Sequence, residues 1–343
     1  MPSYREALNT ALIDSMQADD DVFVFGLDVP DCKRIYGSTN DLVERFGEKR
    51  CFGTPISEDA MTGVAIGAAF SGLRPVHVHI RADFMLLACN QIANIASSAS
   101  YLTGGQLKIP LVIRAVIGRG WGQGAQHSKS LQSWFAHLPG IKVVMPASPQ
   151  DAYSLLRSAI EDDSPVIFLE HRWLYDVEGD IDFEKKLALG KCHLKREGSD
   201  ITLVSTSWMT VEAVKAAEIL AEQGIKVEVI DVATVSPFDY ETVVQSVAKT
   251  GRCLVADYDW EFCGLSAEIV AQVQEKCFEH LKGPVERIGF KPTPCPTTRV
   301  LENNFYPSAK TIIERIEDML ELEKSDLSSI EFYSWEKRFK GPF

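Results

Sequence analysis

Short runs of β-branched and aromatic residues recur along the chain, and stretches with apolar residues at helical spacing lie between them. Buried strands that alternate with helices predict parallel sheets covered on both faces, because parallel neighbours need a helical crossover. The predicted strands are 21–27, 74–80, 110–117, 141–146, 165–170, 200–207, 225–232, 252–258 and 284–290, and the predicted helices are 60–72, 84–100, 149–161, 209–224, 239–249, 264–280 and 308–322.

The alternation stops once and then restarts, which predicts two α/β domains. A chain of 343 residues is also too long for one ordinary hydrophobic core. We expect a first domain over 1–185, a linker over 186–199 and a second domain over 200–323. The aromatic tail, 324–343, has no core pattern of its own, and we expect it to pack on another surface.

Composition excludes several classes of partner. The net charge of -13 argues against nucleic acid and anionic membranes. No apolar run approaches the roughly 20 residues of a membrane helix, and the N-terminus lacks the basic and apolar regions of a signal peptide. We expect a cytoplasmic protein with reduced thiols, because no two cysteines form a CxxC pair. The cysteines are Cys32, Cys51, Cys89, Cys192, Cys253, Cys263, Cys277 and Cys295.

The stretch "TPISEDAM" places two carboxylates, Glu58 and Asp59, at the predicted start of a helix. Ser57 can cap this helix, and acidic residues in a first turn are favoured by the free N–H groups and the helix dipole. That role explains one carboxylate and does not require two. Small residues follow, including Gly63 and Gly67, and they predict close contact with another helix across a subunit interface.

A second informative stretch, "GRGWGQGAQHSKS", follows a predicted strand at 118–130. Its glycine spacing matches neither GxGxxG nor a P-loop, so phosphate binding is disfavoured. We interpret it as a loop that presents His127, for acid–base chemistry, substrate contact or a structural role. His77 and His79 share one face of a strand, but no third ligand at metal spacing accompanies them.

Four stretches carry a resemblance to a known family: "FGTPISEDAMTGVAIGAAFSGLRPV", "QIANIASSASYLTGGQLKIPLVIR", "GAQHSKSLQSWFAHLPGIKVVMPASPQDAYSLLRSAIEDDSPVIFLEH" and "IDVATVSPFD". From about residue 3 to 322, the chain resembles the beta subunit of the thiamine-diphosphate-dependent first component of 2-oxo acid dehydrogenase complexes. Transketolase is a wider relative. The resemblance implies a pyrimidine-binding domain over 1–185, followed by a domain of the transketolase C-terminal type.

The resemblance also implies site residues. Glu58 matches the glutamate that activates thiamine diphosphate through a hydrogen bond to its aminopyrimidine ring. Ile56 matches an apolar pyrimidine contact, Phe84 an aromatic ring that stacks on the pyrimidine, and His127 the active-site histidine. The positions that match a potassium site, formed largely by backbone carbonyls in some members, are Leu111, Ala159, Ile160, Asp162 and Ser164.

The family's Mg²⁺ and diphosphate motif, GDG with a later Asn pair, is absent from this chain. The resemblance therefore implies an alpha subunit that holds Mg²⁺ and the diphosphate, in an α₂β₂ assembly with a beta–beta contact through helix 60–72. The implied reaction is oxidative decarboxylation of a 2-oxo acid, with acyl transfer to the lipoyl group of an acyltransferase second component. Two alternatives stay open: a split transketolase-like or acyloin-forming enzyme without a lipoyl acceptor, and a non-catalytic scaffold.

Several positions depart from the family pattern. Leu27 and Asn90 stand where the family usually has acidic residues, and Leu87 replaces a commonly polar residue. His79 and Arg81 add polar groups near the expected pocket. Three interpretations of these departures stay open: a diverged member with an unusual 2-oxo acid substrate, a C–C bond-forming transferase, and neutral changes in the core.

Overall fold

The computed structural model of the chain describes residues 1–31, 33–118 and 122–332. Its strands form two sheets. The strands are β1 (Val22–Gly26), β2 (Cys51–Gly53), β3 (Arg74–His79), β4 (Val112–Ile117), β5 (Lys142–Val144), β6 (Val166–His171), β7 (His193–Arg196), β8 (Ile201–Ser205), β9 (Val227–Asp231), β10 (Thr234–Ser236), β11 (Cys253–Trp260) and β12 (Glu286–Phe290).

The first sheet has the order β10-β5-β6-β4-β3-β1-β2, and the second has the order β12-β11-β8-β9-β7. All neighbouring pairs are parallel except β10 with β5 and β7 with β9. The predicted two-domain architecture with mostly parallel sheets is therefore confirmed. The interior strands are buried along their length, as expected where helices cover both faces.

Helices cover both sheets. They are α1 (Tyr4–Ala18), α2 (Leu42–Phe46), α3 (Glu58–Phe70), α4 (Ala82–Met85), α5 (Ser97–Leu102), α6 (Gln132–Ala136), α7 (Pro149–Glu161), α8 (Trp208–Ala221), α9 (Tyr240–Thr250), α10 (Leu265–Cys277), α11 (Arg299–Phe305) and α12 (Ala309–Met319). The single helix predicted over 84–100 is instead α4, a 3₁₀ turn, a π-helical segment at 91–96 and α5. Within the described ranges, no helix has both the length and the apolar composition needed to cross a membrane.

Helices α1 and α7 illustrate how local sequence sets the packing. Ser3 and Glu6 form a capping box at the start of α1, and Tyr4, Leu8 and Leu12, which repeat every four residues, are fully buried. Ser148 caps α7, where its hydroxyl oxygen accepts a hydrogen bond from a backbone N–H. Burial of each large apolar side chain contributes about 1.5–3 kcal/mol to the stability of the fold. The pair of helices covers part of one face of the first sheet.

The two domains are joined by strand pairing and by buried polar contacts. Strand β10 follows the second-sheet strand β9 in the chain but pairs with β5 of the first sheet. Gln132 Nε2 donates to Asp257 Oδ1 at 3.0 Å, and Ser133 Oγ donates to Asp259 Oδ2 at 2.7 Å. Because α6 and β11 meet through these bonds, the two sheets are held in one arrangement.

A buried charge cluster joins the same two domains at another point. Lys195 Nζ lies 2.6 Å from Asp151 Oδ2 and 3.3 Å from Asp231 Oδ2, and His193 Nδ1 lies 3.0 Å from Asp151 Oδ1. Asp151, His193 and Asp231 have the spacing of metal ligands. The ammonium group of Lys195 already supplies the positive charge that these carboxylates require.

Two segments, the expected linker and the tail, differ from what the sequence predicts for the ends of the second domain. The expected linker, 186–199, contains β7, an edge strand of the second sheet. In the tail, Lys215 of α8 donates to the Glu331 carbonyl at 2.8 Å and lies 5.1 Å from the centre of the Phe332 ring. The tail thus packs on the second domain as far as residue 332, and 333–343 lie outside the described residues.

The Asp257–Asp259 pair predicts a pH dependence of stability. Burial, and then the charge of Asp257, raise the pKa of Asp259 to about 8. Between about pH 4 and pH 8 the folded chain binds more protons than the unfolded chain, so this group lowers the free energy of unfolding as pH rises. In chemical denaturation, Asp259→Asn should flatten the decline by up to about 1.4 kcal/mol per pH unit. Asp20→Asn, at an exposed site, should leave the slope unchanged, and parallel slopes for wild type and Asp259→Asn would contradict the prediction.

Candidate functional site

A cavity of about 490 Å³ lies beyond the carboxyl ends of the parallel strands β1, β2, β3 and β4. Ligand sites of α/β sheets commonly form at this edge. The residues that line it are Leu27, Asp28, Lys33, Ile35, Tyr36, Ile56, Glu58, His79, Ile80, Arg81, Phe84, Gln123 and His127. The structure therefore brings together Ile56 and Glu58 of one segment with Phe84 and His127 of two others.

The acidic pair at 58–59 is divided between two environments. Glu58 is the first residue of α3 and lines the cavity, where the helix N-terminus favours negative charge. Asp59 points elsewhere, and its Oδ2 accepts a hydrogen bond from Gln91 Nε2 at 3.4 Å. Ser57 occupies the N-cap position but makes no capping hydrogen bond, so the predicted Ser57 cap is wrong. The backbone of Ser57 lies outside the extended conformation typical of such caps.

The rings of Phe84 and His127 meet edge to face, with their centroids 5.3 Å apart. Phe84 is partly exposed on the cavity wall, and Ile56 is 83% exposed on the loop before α3. An aromatic face, an aliphatic side chain and a carboxyl group thus surround one space. A flat heterocycle with a basic ring nitrogen has the shape and polarity that these groups accept.

The second domain holds the loop that carries His127. Gly124 has a positive φ of 63°, and a Cβ there would lie 2.6 Å from the Thr297 side chain. Tyr306 Oη donates to the Ser128 carbonyl at 3.5 Å. The position of His127 therefore depends on packing between the domains. Arg119, Gly120 and Trp121, in the glycine-rich stretch, lie outside the described residues.

A pair of buried arginines lies behind the cavity wall. Arg81 Nη1 donates to the Gly118 carbonyl at 3.1 Å, and Arg81 Nη2 donates to Gln123 Oε1. Arg172 Nη1 donates to the same Gln123 oxygen at 3.0 Å, and its guanidinium lies over the Tyr36 ring. Sequence reasoning noted Arg81 but missed the other members, because their convergence depends on residues distant in the chain.

His77 and His79 are buried side chains rather than metal ligands. Burial lowers the pKa of His77 to about 4 and lowers that of His79 well below its usual value, so both are neutral near pH 7. His77 stacks on Phe25, and His79 Nε2 lies 3.3 Å from Thr62 Oγ1. Neither belongs to a metal-ligand cluster among the described residues.

Two of the five residues matched to a potassium site, Ile160 and Asp162, contact protein cations. The Arg74 guanidinium donates to the Ile160 carbonyl at 3.0 Å and to the Asp162 carbonyl at 3.3 Å. Lys142 Nζ lies 2.5 Å from Asp162 Oδ2, and the Leu111 carbonyl accepts from Val166 N–H at 2.8 Å. Potassium binding by this set stays a prediction, because Arg74 and Lys142 contact oxygens of only two of its five residues. The remaining residues of the set are Ala159, which is buried in α7, and Ser164, whose N–H donates to Asp162.

The residues that depart from the family pattern lie in different parts of the structure. Leu27 lines the cavity, whereas Leu87 is exposed and Asn90 accepts a hydrogen bond from Asn94 at 2.9 Å. The outer face of α3 is apolar and exposed at Val64, and no atom would contact a Cβ at Gly67. A partner helix could therefore approach this face closely.

Comparison with known proteins identifies the class. The transketolase pyrimidine-binding domain matches residues 1–177, and the transketolase C-terminal domain matches 190–312. A solved split-gene transketolase, an inactive beta4 tetramer, has a similar fold with a TM-score of 0.76, at 24% identity over 94% of this chain and 99% of its own. The chain belongs to the transketolase family.

Two curated relatives narrow the assignment. The pyruvate dehydrogenase E1 component subunit beta-2, mitochondrial, of Oryza sativa subsp. japonica is 40% identical over 90% of this chain and 84% of its own length. The pyruvate dehydrogenase E1 component subunit beta of Rickettsia felis is 39% identical over 91% of this chain and 96% of its own. Within the transketolase family, the chain thus belongs with the E1 component beta subunits.

Gly118 offers a test of how the cavity wall is held. It has a φ of 88°, and a Cβ there would lie 2.3 Å from the buried His171 ring. Gly118→Ala should therefore destabilise the fold by more than about 1 kcal/mol, through both backbone strain and overlap. Gly67→Ala, within a helix and without a neighbour, should stabilise it by about 0.5–1 kcal/mol. Equal unfolding free energies for the two variants, measured in urea, would refute this account.

Proposed function

We propose that this chain is the beta subunit of a thiamine-diphosphate-dependent 2-oxo acid dehydrogenase, active with an alpha subunit in oxidative decarboxylation and acyl transfer to a lipoyl group. The observation that carries the proposal is the convergence of Ile56, Glu58, Phe84 and His127 on one cavity. The named function of the E1 beta relatives, at 39–40% identity along nearly their whole length, supports it.

The cavity residues fit the aminopyrimidine end of thiamine diphosphate. Ile56 and Phe84 would contact its faces, and Glu58 would hydrogen-bond a ring nitrogen. When bound, the cofactor would supply a carbon nucleophile and an electron sink for the decarboxylation of a 2-oxo acid. The task of Glu58 is to hold a proton at its carboxyl oxygen, shared with the ring nitrogen.

His127 lines the same cavity and would face the reacting group. Its ring packs edge-on against Phe84, and its loop is pressed against Thr297 of the second domain. A positioned imidazole can donate or accept a proton near pH 7, so His127 suits substrate contact and acyl transfer. Packing on both sides fixes its orientation toward the site.

An alpha subunit would complete the site. The sequence contains no GDG motif for Mg²⁺ and diphosphate, and the cavity lining includes the residues matched to the pyrimidine half, Ile56, Glu58 and Phe84. The diphosphate and Mg²⁺ therefore belong to the alpha subunit in this proposal. The acyl group would then pass to a lipoyl domain of an acyltransferase second component.

A second beta subunit would cover the exposed face of α3. Val64 and Gly67 present small, apolar surface there, and exposed apolar side chains of the neighbouring segment extend it. These neighbours are Leu87, Ile95, Tyr101 and Leu102. An apolar surface of this kind is typical of a permanent subunit interface, which supports an α₂β₂ assembly.

Glu58→Gln in the assembled α–β complex tests the catalytic proposal. The amide keeps the size of the side chain but cannot exchange a proton with the ring nitrogen, so turnover should fall about 10²–10⁴-fold. Turnover is measured as decarboxylation of a 2-oxo acid with ferricyanide as oxidant, and cofactor binding by calorimetry. Asp59→Asn is the neighbouring control and should retain turnover. Full activity of Glu58→Gln would exclude the proposed role.

Val64→Arg tests the beta–beta contact. A buried, unpaired guanidinium at the centre of an apolar interface should prevent the two halves from joining, so the mass by light scattering should drop from α₂β₂ to αβ. Val300→Arg makes the same change at an exposed position of the second domain and should leave the mass intact. An unchanged mass for Val64→Arg would place the contact elsewhere.

A further inference from the structure

The charge of Arg81 is not neutralised by the protein groups that contact it. Its side chain lines the cavity although the residue is only 2% exposed, and both of its hydrogen-bond partners, Gly118 and Gln123, are neutral oxygen acceptors. Within the described ranges, no carboxylate lies within ion-pair distance of Arg81. The nearby Asp83 is paired with Lys129 Nζ at 3.0 Å.

Another buried arginine in the same sheet shows the usual arrangement. Arg114, which is 1% exposed, donates from Nε to Glu170 Oε1 at 2.5 Å and from Nη2 to Oε2 at 3.0 Å. A buried guanidinium without such a carboxylate has a large desolvation cost. At Arg114, away from the cavity, the Glu170 carboxylate offsets this cost, whereas no carboxylate among the described residues does so at Arg81, next to the cavity.

Arg172 increases the positive potential at this wall. Its guanidinium and that of Arg81 both donate to Gln123 Oε1, so the two cations are held close together by a neutral group. Burial, and then the charge of Arg81, lower the pKa of Arg172 to about 10, so both remain protonated at neutral pH. Asp28 and Lys33, on the loop after β1, carry opposite charges at the cavity lining. Glu58 is engaged with the cofactor in the proposed function.

We propose that Arg81, supported by Gln123 and Arg172, binds a second carboxylate on the substrate, so that the preferred substrate is a dicarboxylic 2-oxo acid. This inference rests on the proposed function and names its substrate class. A guanidinium fork matches a carboxylate in geometry and charge. The lining of the same cavity by Arg81, Phe84 and His127 places this fork beside the proposed reaction centre.

The second carboxylate is a better partner than the one that leaves. Decarboxylation converts the C1 carboxylate to neutral CO₂, and a guanidinium bound to it would stabilise the ground state more than the transition state. A distal carboxylate keeps its charge throughout the reaction. Its binding energy can therefore orient the substrate without opposing the chemistry.

The test compares substrates on the assembled complex with thiamine diphosphate and Mg²⁺. Ferricyanide serves as oxidant, so that no lipoyl acceptor is required. Wild type should prefer 2-oxoglutarate to pyruvate and 2-oxobutanoate in kcat/KM. Arg81→Met should reduce kcat/KM for 2-oxoglutarate about 10–100-fold and reverse the preference, while Arg81→Lys, which keeps the charge, should lose less. Arg315→Met makes the same change at a surface ion pair and should behave as wild type.

Gln123→Glu provides a second variant, which keeps the size of the side chain in the cavity wall. It places a carboxylate between the two arginines, so it should also reverse the substrate preference. Glutarate binding to the complex without cofactor, measured by calorimetry, gives a readout besides turnover. Wild type should bind glutarate at least tenfold more tightly than Arg81→Met or Gln123→Glu does.

Other outcomes overturn the inference in distinguishable ways. If Arg81→Met reduced kcat/KM equally for all three substrates, Arg81 would instead bind the C1 carboxylate or stabilise the fold. A weaker affinity for thiamine diphosphate would assign it to the diphosphate. Turnover of pyruvate with no preference for 2-oxoglutarate would refute the inference and leave the proposed function standing. No turnover of any 2-oxo acid would refute the proposed function as well.

Discussion

The contact between the two sheets is the constraint on which the candidate site depends. Strand β10 leaves the second domain and pairs antiparallel with β5, while Gln132 and Ser133 bond to buried carboxylates at the end of β11. The loop with His127 lies directly before α6, and Thr297 of the second domain presses against it. Without this contact between the two sheets, His127 would have no fixed position relative to Phe84. The second domain, none of whose described residues belongs to the cavity lining, thus shapes the site through packing.

The first domain contains a buried arginine that is paired with a carboxylate and another, at the cavity, that is not paired with one among the described residues. This difference bears on substrate choice. Deeper in the sheet, Arg114 and Glu170 form a closed pair, with Tyr175 Oη also donating to Glu170 at 2.6 Å. At the cavity wall, the same kind of side chain, Arg81, has only neutral acceptors. The difference is instructive because both guanidinium groups pay a similar desolvation cost. An unpaired guanidinium next to a ligand-binding cavity can be neutralised by a negatively charged group on the ligand.

Periodicity predicted the long elements well and the short ones poorly. The runs that became β1, β3, β4 and β6 are rich in β-branched and other apolar residues, which identifies them as buried strands. Strands β2, β7 and β10 span only three or four residues, and each exists because a neighbouring strand pairs with it. The helix expected over 84–100 is broken by 3₁₀ and π turns, where tertiary packing overrides the regular spacing.

Some features of the site follow from the sequence and others from the tertiary structure. The sequence by itself determined the two α/β domains, the carboxylates at a helix start, the glycine-rich loop with His127 and the absence of a diphosphate motif, since these depend on local composition and spacing. Only the tertiary structure decided that Glu58 and not Asp59 faces the cavity, that Arg74 donates to two of the carbonyls matched to potassium, and that Arg81 and Arg172 share Gln123. The physical reason is that burial, and the pairing of charges across it, depend on side chains that the fold brings together from distant parts of the chain.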